Sequence, residues 1–381
     1  MNEVIQEALH QRLQPQGRLT FAEFMDVALY HPTHGYYNRP EMTIGQGGDF
    51  YTSPMVHPIF GACIARQVFE FWTLLGRPER FFLLEMGAGV GTLAVDLLKA
   101  AQQHDAFFAA IQYHIVEQGE TLRQRQQENA VNNGFAEKIT WYETLDEVQG
   151  GQVGVILSNE LFDALPVHRL GKTADGYVEY YITAGDGGFT EETGPLSDPA
   201  LLDLLDEESS AELPDGERFV VCPAAGEVIA KMGDLLEKGF VLTIDYGDIA
   251  PDVHLKHKQA DGVRAYYKQK QGQPLDRAGE QDLTADVDFT LLIRRGEQAG
   301  LDRVGFTTQM NFLGGNGILR HAEKLQQKRF DLMADEELHK MLTLFLPQGL
   351  GELFHVLIQS KGLDTNGLAA RIGALTFSIE D

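Results

Sequence analysis

The sequence contains few cysteines. Only Cys63 and Cys222 occur in 381 residues, and they lie far apart without a CxxC motif or clustered histidines. This pattern indicates neither a disulfide framework nor a zinc site, so we expect no bound metal. Two isolated thiols fit a reducing compartment, and we expect the protein to be cytoplasmic.

The sequence also lacks an excess of positive charge and long apolar runs. It has 31 Lys and Arg against 56 Asp and Glu, which gives a formal net charge of -25. Such a surface has no surplus of cations to neutralise phosphates, so nucleic acid is not an expected partner and basic partners are favoured. No apolar run reaches the ~18 residues of a membrane-spanning helix, so we expect a soluble protein without a membrane span.

The first residues do not have the pattern of a targeting segment. The stretch MNEVIQEALHQRLQPQGRL contains Glu3 and Glu7 and has no apolar core, unlike a signal peptide or an acid-poor, Arg-rich transit peptide. We predict a first helix there. Thr20 followed by Glu23 forms a capping box, which predicts a second helix that ends near Tyr30.

One stretch, FFLLEMGAGVGTLAVDLLKA, organises the rest of the chain. An apolar run meets Glu85, then three glycines at alternate positions, Gly87, Gly89 and Gly91, and then an amphipathic segment. This order predicts a buried strand, a tight turn and a helix. Because glycines let the backbone approach a ligand at a helix N-terminus, we expect a small molecule to bind on this turn.

Three kinds of glycine-rich turn have to be distinguished. A phosphate-binding loop requires GxxxxGK before Ser or Thr, and no lysine follows in register. A dinucleotide fold requires GxGxxG, and Thr92 in place of the third glycine weakens that alternative without removing it. An acid before GxGxG, here Glu85, is the pattern of S-adenosylmethionine (SAM) methyltransferases. The next strand ends at Glu117, whose carboxylate could accept the ribose hydroxyls of a nucleoside, although glycine turns also serve simple packing.

Strands and helices alternate after the apolar run. The predicted strands are 81–85, 111–117, 138–142 and 153–158, and the helices between them are 92–102 and 120–132. Alternation of this kind predicts an α/β fold with a parallel sheet. Ligands bind outside the carboxyl ends of such strands, so Asn159, Glu160 and Asp163 should face the same edge as the glycine turn.

A glycine-rich loop, GQGGDFYTSPMVHP, precedes this sheet by one helix. Its backbone and hydroxyls could cover a ligand, and Gly48, Asp49 and Thr52 are therefore candidate cofactor-binding residues. The alternative is a surface turn in which Ser53 caps a helix that begins at Pro54. The sequence leaves both interpretations open.

We predict four parts in the chain. They are an N-terminal helical cap with a lid loop over 1–60, the first half of the ligand-binding domain over 61–170, an acidic insertion with short strands over 171–225, and the second half of the domain over 226–381. The insertion has ten Asp or Glu and no Lys or Arg between positions 187 and 217. It is either a solvated, partly disordered segment or a docking surface for a basic protein.

The last part carries three further expectations. Gly239 should end an amphipathic helix before a fifth parallel strand that finishes at Asp245. The polar residues 249–282 predict a mobile loop. The next helix should begin near Thr284 or Asp286.

The segments GDFYTSP, LLEMGAGVGTLAVDLL, SNELFDALPVHR, IDYG and LTADVDF occur in that order, and with them the sequence closely resembles the MidA-like family of SAM-dependent methyltransferases. The likeness extends from about Thr20 to Lys361. It implies a Rossmann-like sheet of seven strands with SAM on the glycine turn and Glu117 on the ribose. Mitochondrial members are protein-arginine methyltransferases tied to the assembly of respiratory complex I, which implies a protein substrate, with a complex I type subunit as the candidate. The N-terminus departs from those members and leaves that substrate open.

Glu160 and Asp163 are the candidate catalytic residues. A guanidinium, with a pKa above ~12, is not deprotonated beforehand, so carboxylates must hold it and align one nitrogen with the methyl group. Three residues apart, the two acids would lie on one side of a helical turn beginning there. The alternatives are a carboxylate bound to a helix N-terminus for Glu160 and a helix N-cap for Asp163. Asn159 could contact the amino-acid part of SAM.

Three functions remain compatible with the sequence. The leading one is a SAM-dependent enzyme that methylates arginine in a protein. A nicotinamide-dependent oxidoreductase is the second, and Thr92 counts against it. The third is a non-catalytic assembly chaperone that keeps the fold and holds a basic client on its acidic insertion.

Overall fold

The computed structural model describes residues 2–39, 52–185, 188–205, 213–255, 262–327 and 332–377. The chain divides into two compact units, each assembled from three segments. The unit within Tyr51–Leu161, Ala230–Tyr246 and Gly296–Asp381 is called the parallel-sheet unit, and the unit within Met1–Phe50, Phe162–Ile229 and Gly247–Arg295 is called the antiparallel unit.

Strands and helices are numbered in chain order over the described residues. The strands are β1 Leu19–Thr20, β2 Phe81–Met86, β3 Ile111–Val116, β4 Ile139–Tyr142, β5 Gln152–Asn159, β6 His168–Thr173, β7 Gly176–Gly185, β8 Gly188–Gly194, β9 Arg218–Val221, β10 Leu236–Asp248, β11 Val263–Tyr267, β12 Lys270–Gly272, β13 Asp282–Ala285, β14 Val287–Asp288, β15 Asp302–Thr308 and β16 Phe354–Lys361. The helices are α1 Glu3–Leu13, α2 Phe21–Tyr30, α3 Ser53–Val56, α4 Ile59–Leu74, α5 Thr92–Ala101, α6 Asp105–Ala110, α7 Glu120–Asn132, α8 Pro223–Leu235, α9 Asp252–Leu255, α10 Phe289–Gln298, α11 Gln309–Gly315, α12 Ile318–Gln326, α13 Leu332–Phe345 and α14 Gly373–Thr376. Short 3-10 turns cover Ala136–Lys138, Leu145–Glu147, Phe162–Ala164, Pro199–Leu204 and Ala369–Arg371.

The largest sheet of the described residues has eight strands. Seven of them, in the order β4-β3-β2-β5-β10-β16-β15, build the parallel-sheet unit, and the two-residue β14 pairs with the end of β10. The first five of these run parallel, and β16 pairs antiparallel with both β10 and β15. This architecture confirms the predicted α/β class, and β14 adds one short strand to the seven that the resemblance implies. The strand order reverses direction between β2 and β5, and ligands bind outside the carboxyl ends of the strands at such a switch point.

Burial on both faces explains why β2 is an apolar run. All four residues from Phe81 to Leu84 are at most 3% exposed. Phe81 and Leu83 face a core that includes α4 and α5. The ring of Phe71 on α4 stacks on Phe240 of β10, with 4.1 Å between the centroids. Strands in such a core need apolar side chains on both sides, which is typical of parallel sheets.

The expected helix C-cap at Gly239 is wrong. The helix α8 ends at Leu235, and Gly239 lies inside β10, where it pairs with Gly154 of β5. A Cβ atom on Gly239 would overlap the carbonyl oxygen of Gly154, and a Cβ atom on Gly154 would overlap that of Phe82. These glycines therefore allow backbones to approach closely between neighbouring strands.

The antiparallel unit packs α1 and α2 with two small sheets. One sheet has the order β1-β7-β6-β9 with β8 added to β7, and the other has the order β12-β11-β13. Thr20 and Glu23 form the predicted capping box at the start of α2, with the Glu23 carboxylate 2.8 Å from the Thr20 amide nitrogen. Apolar residues of α1 and α2 such as Leu9 and Phe24 form the core with the strands.

Residues 249–282, for which the sequence predicts a mobile loop, instead contain α9, β11 and β12 over their described part. Val263 and Ala265 of β11 are buried, which anchors this segment in the core of the antiparallel unit. The following helix also begins later than expected. Residues 282–285 and 287–288 are strands, and the Asp288 carboxylate accepts the amide of Leu291 at 3.1 Å at the first turn of α10.

Part of the acidic insertion forms ion pairs within its own unit. Glu191 of β8 contacts Arg169 of β6, and it also lies 3.4 Å from Arg218 of β9. This carboxylate is thus bound by arginines that flank the acidic segment. Within the described ranges, no helix is both long enough and apolar enough to cross a bilayer.

Replacing Gly154 by alanine is expected to lower the free energy of unfolding by at least about 2 kcal/mol. The physical reason is the overlap of the new Cβ atom with the Phe82 carbonyl oxygen. Gly150→Ala is the matched control, because its Cβ atom would meet only Asp234 O at 3.8 Å. Urea denaturation followed by circular dichroism measures both changes, and equal stabilities of the two variants would contradict the close approach.

Candidate functional site

The carboxyl ends of β2, β3 and β5 lie at one level in the parallel-sheet unit. Met86 pairs in register with Val116 on one side and with Ser158 on the other. The next residues along the three strands are Gly87, Glu117 and Asn159. The sheet register therefore brings together, at one edge, three of the residues that the sequence singles out.

The glycine turn between β2 and α5 needs left-handed backbone angles. The φ values of Gly87, Gly89 and Gly91 are 65°, 54° and 80°, which side chains rarely allow. Gly87 N donates to Val116 O at 3.0 Å, and this bond ties the start of the turn to β3. A Cβ atom on Gly87 would lie 2.8 Å from Leu161 Cδ1, whereas one on Gly89 would meet nothing within 4 Å. Among the described residues, none comes close to the position above Gly89.

Gln126 on α7 connects the glycine turn with Glu117, and sequence reasoning missed this residue. Its Nε2 group donates to Gly89 O at 2.9 Å and to Glu117 Oε2 at 3.0 Å. Its Oε1 atom accepts from Trp141 Nε1 at 3.2 Å. The buried amide thus uses both of its donors and one acceptor to fix the position of the carboxylate relative to the turn.

A signal for Gln126 does exist in the sequence. Leu122, Gln126 and Ala130 recur every four residues and are the buried residues of α7. A glutamine in the middle of the buried stripe of a helix needs polar partners, because an unsatisfied amide in the core is costly. Its partners could not be identified without the fold.

Burial raises the pKa of Glu117 to about 7. The residue is 9% exposed, and its Oε1 atom accepts the amide of Gly119 at 2.9 Å. The hydrogen bonds from Gly119 and Gln126 and the charge of Arg123 lower the pKa in part, but burial has the larger effect. Each carboxylate oxygen has two lone pairs, so Glu117 can still accept further donors such as hydroxyl groups.

Glu85 is the second buried carboxyl group, at the end of β2. It is 3% exposed, and Tyr113 Oη donates to its Oε2 atom at 2.6 Å. Burial raises the pKa of Glu85 to about 7, the Tyr113 hydroxyl opposes that change, and the charge of Glu117 adds to it. A cation bound near these two groups would stabilise their ionised forms.

Asn159 is the last residue of β5 and contacts Glu160, which follows it. Asn159 is 8% exposed and donates from Nδ2 to Glu160 Oε1 at 3.1 Å. The same carboxylate oxygen accepts the amide of Ser53 at the start of α3, at 2.9 Å. Glu160 has a φ of 53°, which is rare for a residue with a side chain, and its amide donates to Ile244 O at 2.9 Å. Such strain is common at functional sites.

The expected helical turn from Glu160 to Asp163 does not form. Glu160 has left-handed backbone angles, and a 3-10 turn begins only at Phe162. Asp163 belongs to the antiparallel unit, where it lies inside that turn, is 5% exposed and does not act as a helix N-cap. Burial is the main cause that raises the pKa of Tyr37. The charge of Asp282 raises it further, and the charge of Asp163 contributes less.

The structure also defines the positions of Asp245, Thr52 and His168. Asp245 is fully buried, and its Oδ2 atom accepts the amide of Leu161 at 3.1 Å, so it fixes the chain just after Glu160. Thr52 is the N-cap of α3, and its hydroxyl makes no capping bond. His168 binds Glu179 at 2.7 Å within the antiparallel unit.

The candidate cofactor residues Gly48 and Asp49 lie outside the described residues. The remaining candidates in the parallel-sheet unit are Glu85, Gly87, Gly89, Gly91, Glu117, Asn159 and Thr52. They combine an open turn, a buried carboxylate with free accepting capacity, and an amide with an unused oxygen. This set fits a nucleoside that carries hydroxyl groups at one end and a positive charge at the other.

Comparisons with known proteins agree with this chemistry. A family model described as "Putative S-adenosyl-L-methionine-dependent methyltransferase" matches residues 63–307. The mitochondrial protein arginine methyltransferase NDUFAF7 of Rattus norvegicus is 30% identical, over 90% of this chain and 81% of the relative. The Homo sapiens protein of the same name is 29% identical, over 90% and 80%. A crystal structure of a "likely methyl transferase" from Burkholderia thailandensis, bound to S-adenosyl-homocysteine, has 26% identity and a TM-score of 0.86 over 98% of this chain and 95% of that one.

These relatives correct one expectation. The sequence predicts a cytoplasmic protein, but the rat and human relatives are both named as mitochondrial. The expected cytoplasmic location is therefore wrong. Isolated thiols and an N-terminal pattern did not determine the compartment.

The free energy of unfolding is expected to fall as the pH rises from about 4.5 to 7. Replacing Glu85 by glutamine should make this fall smaller. The folded protein holds a proton on Glu85 in this window, because burial raises the pKa of this carboxyl group from its ordinary value of 4.5 to about 7. The unfolded chain has released that proton, so rising pH favours unfolding by up to about 3 kcal/mol for this group.

Glutamine can still accept the Tyr113 hydroxyl but does not titrate. Urea denaturation at several pH values measures the difference between the variant and the wild type. Glu128→Gln, at an exposed position on α7, is the control. Identical pH profiles for Glu85→Gln and the wild type would contradict the assigned titration.

Proposed function

Because the chain belongs to the family of S-adenosyl-L-methionine-dependent methyltransferases, we propose that it methylates an arginine side chain of a protein. SAM is its cofactor, and the nicotinamide alternative is thereby removed. The choice of arginine is supported by the rat and human relatives, which are named protein arginine methyltransferases and match 90% of the chain. It is also consistent with a carboxylate, Glu160, beside the candidate cofactor residues.

For the cofactor, one observation carries the proposal. A single buried amide, Gln126, joins Gly89 O and Glu117 Oε2 with hydrogen bonds of 2.9 and 3.0 Å. An open glycine turn and a carboxylate held at a fixed distance from it suit a nucleoside, with Glu117 accepting its ribose hydroxyls. Gly87, Gly89 and Gly91 leave room for the ligand, and Glu85 provides negative charge. Bound SAM supplies a methyl group on a positively charged sulfur.

For the acceptor, we assign Glu160 the task of orienting the guanidinium. An arginine remains protonated at neutral pH, so the chain has to align it and does not have to deprotonate it beforehand. Glu160 Oε1 is occupied by Ser53 N and Asn159 Nδ2, which fix the carboxylate in place. A carboxylate held in this way can accept guanidinium N–H groups with little loss of conformational entropy. Asp163 is proposed as a second substrate carboxylate and is tested separately.

The client is proposed to be a subunit of a respiratory complex I type assembly. This finer assignment is supported by the resemblance to a family with such mitochondrial members. Incubation of the protein with tritium-labelled SAM and a mitochondrial lysate, followed by identification of the labelled protein, would name the client.

Gly48, Asp49 and Thr52 are proposed to cover the cofactor.

The affinity for S-adenosyl-homocysteine is expected to rise roughly tenfold between pH 6 and pH 8. With a pKa of about 7, Glu117 is mostly protonated at pH 6 and mostly ionised at pH 8. The ionised carboxylate accepts hydroxyl donors on both oxygens, so the apparent affinity follows the ionised fraction. Isothermal titration calorimetry measures this dependence.

The Glu117→Gln variant should bind S-adenosyl-homocysteine more weakly than the wild type at pH 8, and its affinity should lose most of the pH dependence. Glu128→Gln is the control, because it removes an exposed carboxylate of α7 and keeps both Glu85 and Glu117. A Glu117→Gln variant that retains the full pH dependence would rule out the ribose-binding role of Glu117.

Glu160→Gln is expected to abolish methyl transfer, by at least about 100-fold, while S-adenosyl-homocysteine still binds. A neutral amide cannot hold a guanidinium as a carboxylate does. Transfer of tritium from SAM to an arginine-containing client measures the activity, and calorimetry measures binding. Asp163→Asn tests the second carboxylate in the same assay. Full activity of Glu160→Gln would refute the catalytic role, and client binding without any methylation by the wild type would favour the chaperone.

A further inference from the structure

The side chain of Asn159 has one satisfied end and one unsatisfied end. Its Nδ2 group donates to Glu160 Oε1, and its Oδ1 atom is buried and has no hydrogen-bond partner among the described residues. The residue is 8% exposed. An unpaired amide oxygen in a protein interior is unfavourable, so its presence beside a binding site indicates that a ligand supplies the donor.

Glu160 determines which end of the Asn159 amide is left for a ligand. A carboxylate accepts hydrogen bonds and cannot donate them, so the end of Asn159 that faces Glu160 must be the NH2 group. The Ser53 amide binds the same carboxylate oxygen at 2.9 Å and holds it in place. The oxygen of Asn159 is therefore the end of the amide that is left without a protein donor in the described part of the chain, and this assignment depends on the chemistry of the partner.

The position of Asn159 indicates which kind of hydrogen-bond donor its Oδ1 atom would meet. Glu85 pairs in register with Leu157, and side chains two residues apart on a strand lie on the same face, so Asn159 shares a sheet face with Glu85. It also follows Ser158, which is level with Met86 before the glycine turn. A donor at this place lies near a carboxyl group, which favours a cationic N–H group over a neutral one.

We propose that Asn159 Oδ1 accepts an N–H of the ammonium group in the amino-acid part of the cofactor. In this arrangement Glu160 is a positioning residue for cofactor recognition, in addition to its proposed contact with the substrate. The inference rests on the proposed function, since it takes SAM as the ligand. It assigns the site a means of selecting nucleosides that carry an amino-acid tail.

The test compares two ligands that differ at this end only. S-adenosyl-homocysteine carries the amino-acid group, and 5′-methylthioadenosine lacks it. Asn159→Leu keeps a similar volume and removes the acceptor oxygen. It should weaken the binding of S-adenosyl-homocysteine about tenfold or more and change that of 5′-methylthioadenosine less than about twofold. Calorimetry at pH 8 measures both affinities.

Variants of Glu160 test the positioning role. The hydrogen bonds from Ser53 and Asn159 go to the same atom, Glu160 Oε1, so the amide oxygen of Glu160→Gln can accept them in its place. Glu160→Gln should therefore keep the preference for S-adenosyl-homocysteine, and Glu160→Leu should lose it as Asn159→Leu does. Should Asn159→Leu fail to fold, as judged by circular dichroism, the pair of Glu160 variants carries the test.

Gln126→Leu is the matched control at the opposite end of the ligand. Gln126 binds Glu117, so its loss should weaken both ligands by a similar factor. Equal weakening of both ligands by Asn159→Leu, or an unchanged preference in Glu160→Leu, would overturn the assignment. A wild-type protein that binds neither ligand would overturn the proposed function itself, and the assignment with it.

Discussion

The hydrogen-bond register of three parallel strands sets where the site residues lie. Met86, Val116 and Ser158 are paired across β2, β3 and β5, so the residues that follow them leave the sheet at one edge. A shift of one residue in any of these strands would turn its side chains to the opposite face. The apolar residues that fill both faces of β2 keep this register in place, so the packing of the core and the geometry of the site depend on the same contacts.

The site also concentrates acidic groups in a poorly solvated place. Glu85 and Glu117 both have pKa values raised to about 7, mainly by burial. Keeping such groups buried reduces stability near neutral pH, and the hydrogen bonds from Tyr113, Gly119 and Gln126 offset only part of this cost. The positive charge of a bound cofactor would offset the remaining cost of burying these carboxyl groups. This explains why carboxyl groups occupy positions where an apolar residue would make a more stable protein.

Local signals in the sequence predicted the strand, the glycine turn and the two strand-end acids, because each depends on residues adjacent in the chain. Gln126 was missed because its partners, Gly89 and Trp141, are distant in sequence and meet it only in the folded sheet. The helical turn expected at Glu160 failed for a related reason. Spacing alone could not reveal that its backbone is left-handed and bound to Ile244 of β10. Gly239 resembled a helix cap, but its role depends on the approach of a neighbouring strand.

The bond from Trp141 to Gln126 has a practical consequence. The chain has two tryptophans, and the indole of the other, Trp72, donates to Pro78 O at 2.9 Å. The Trp141 indole instead shares a hydrogen-bonded amide with Glu117 and the glycine turn. Its fluorescence is sensitive to the polarity and hydrogen bonding around the ring. The intrinsic fluorescence of Trp141 therefore reports on this pocket. A Trp72→Phe background would isolate its emission without an attached dye.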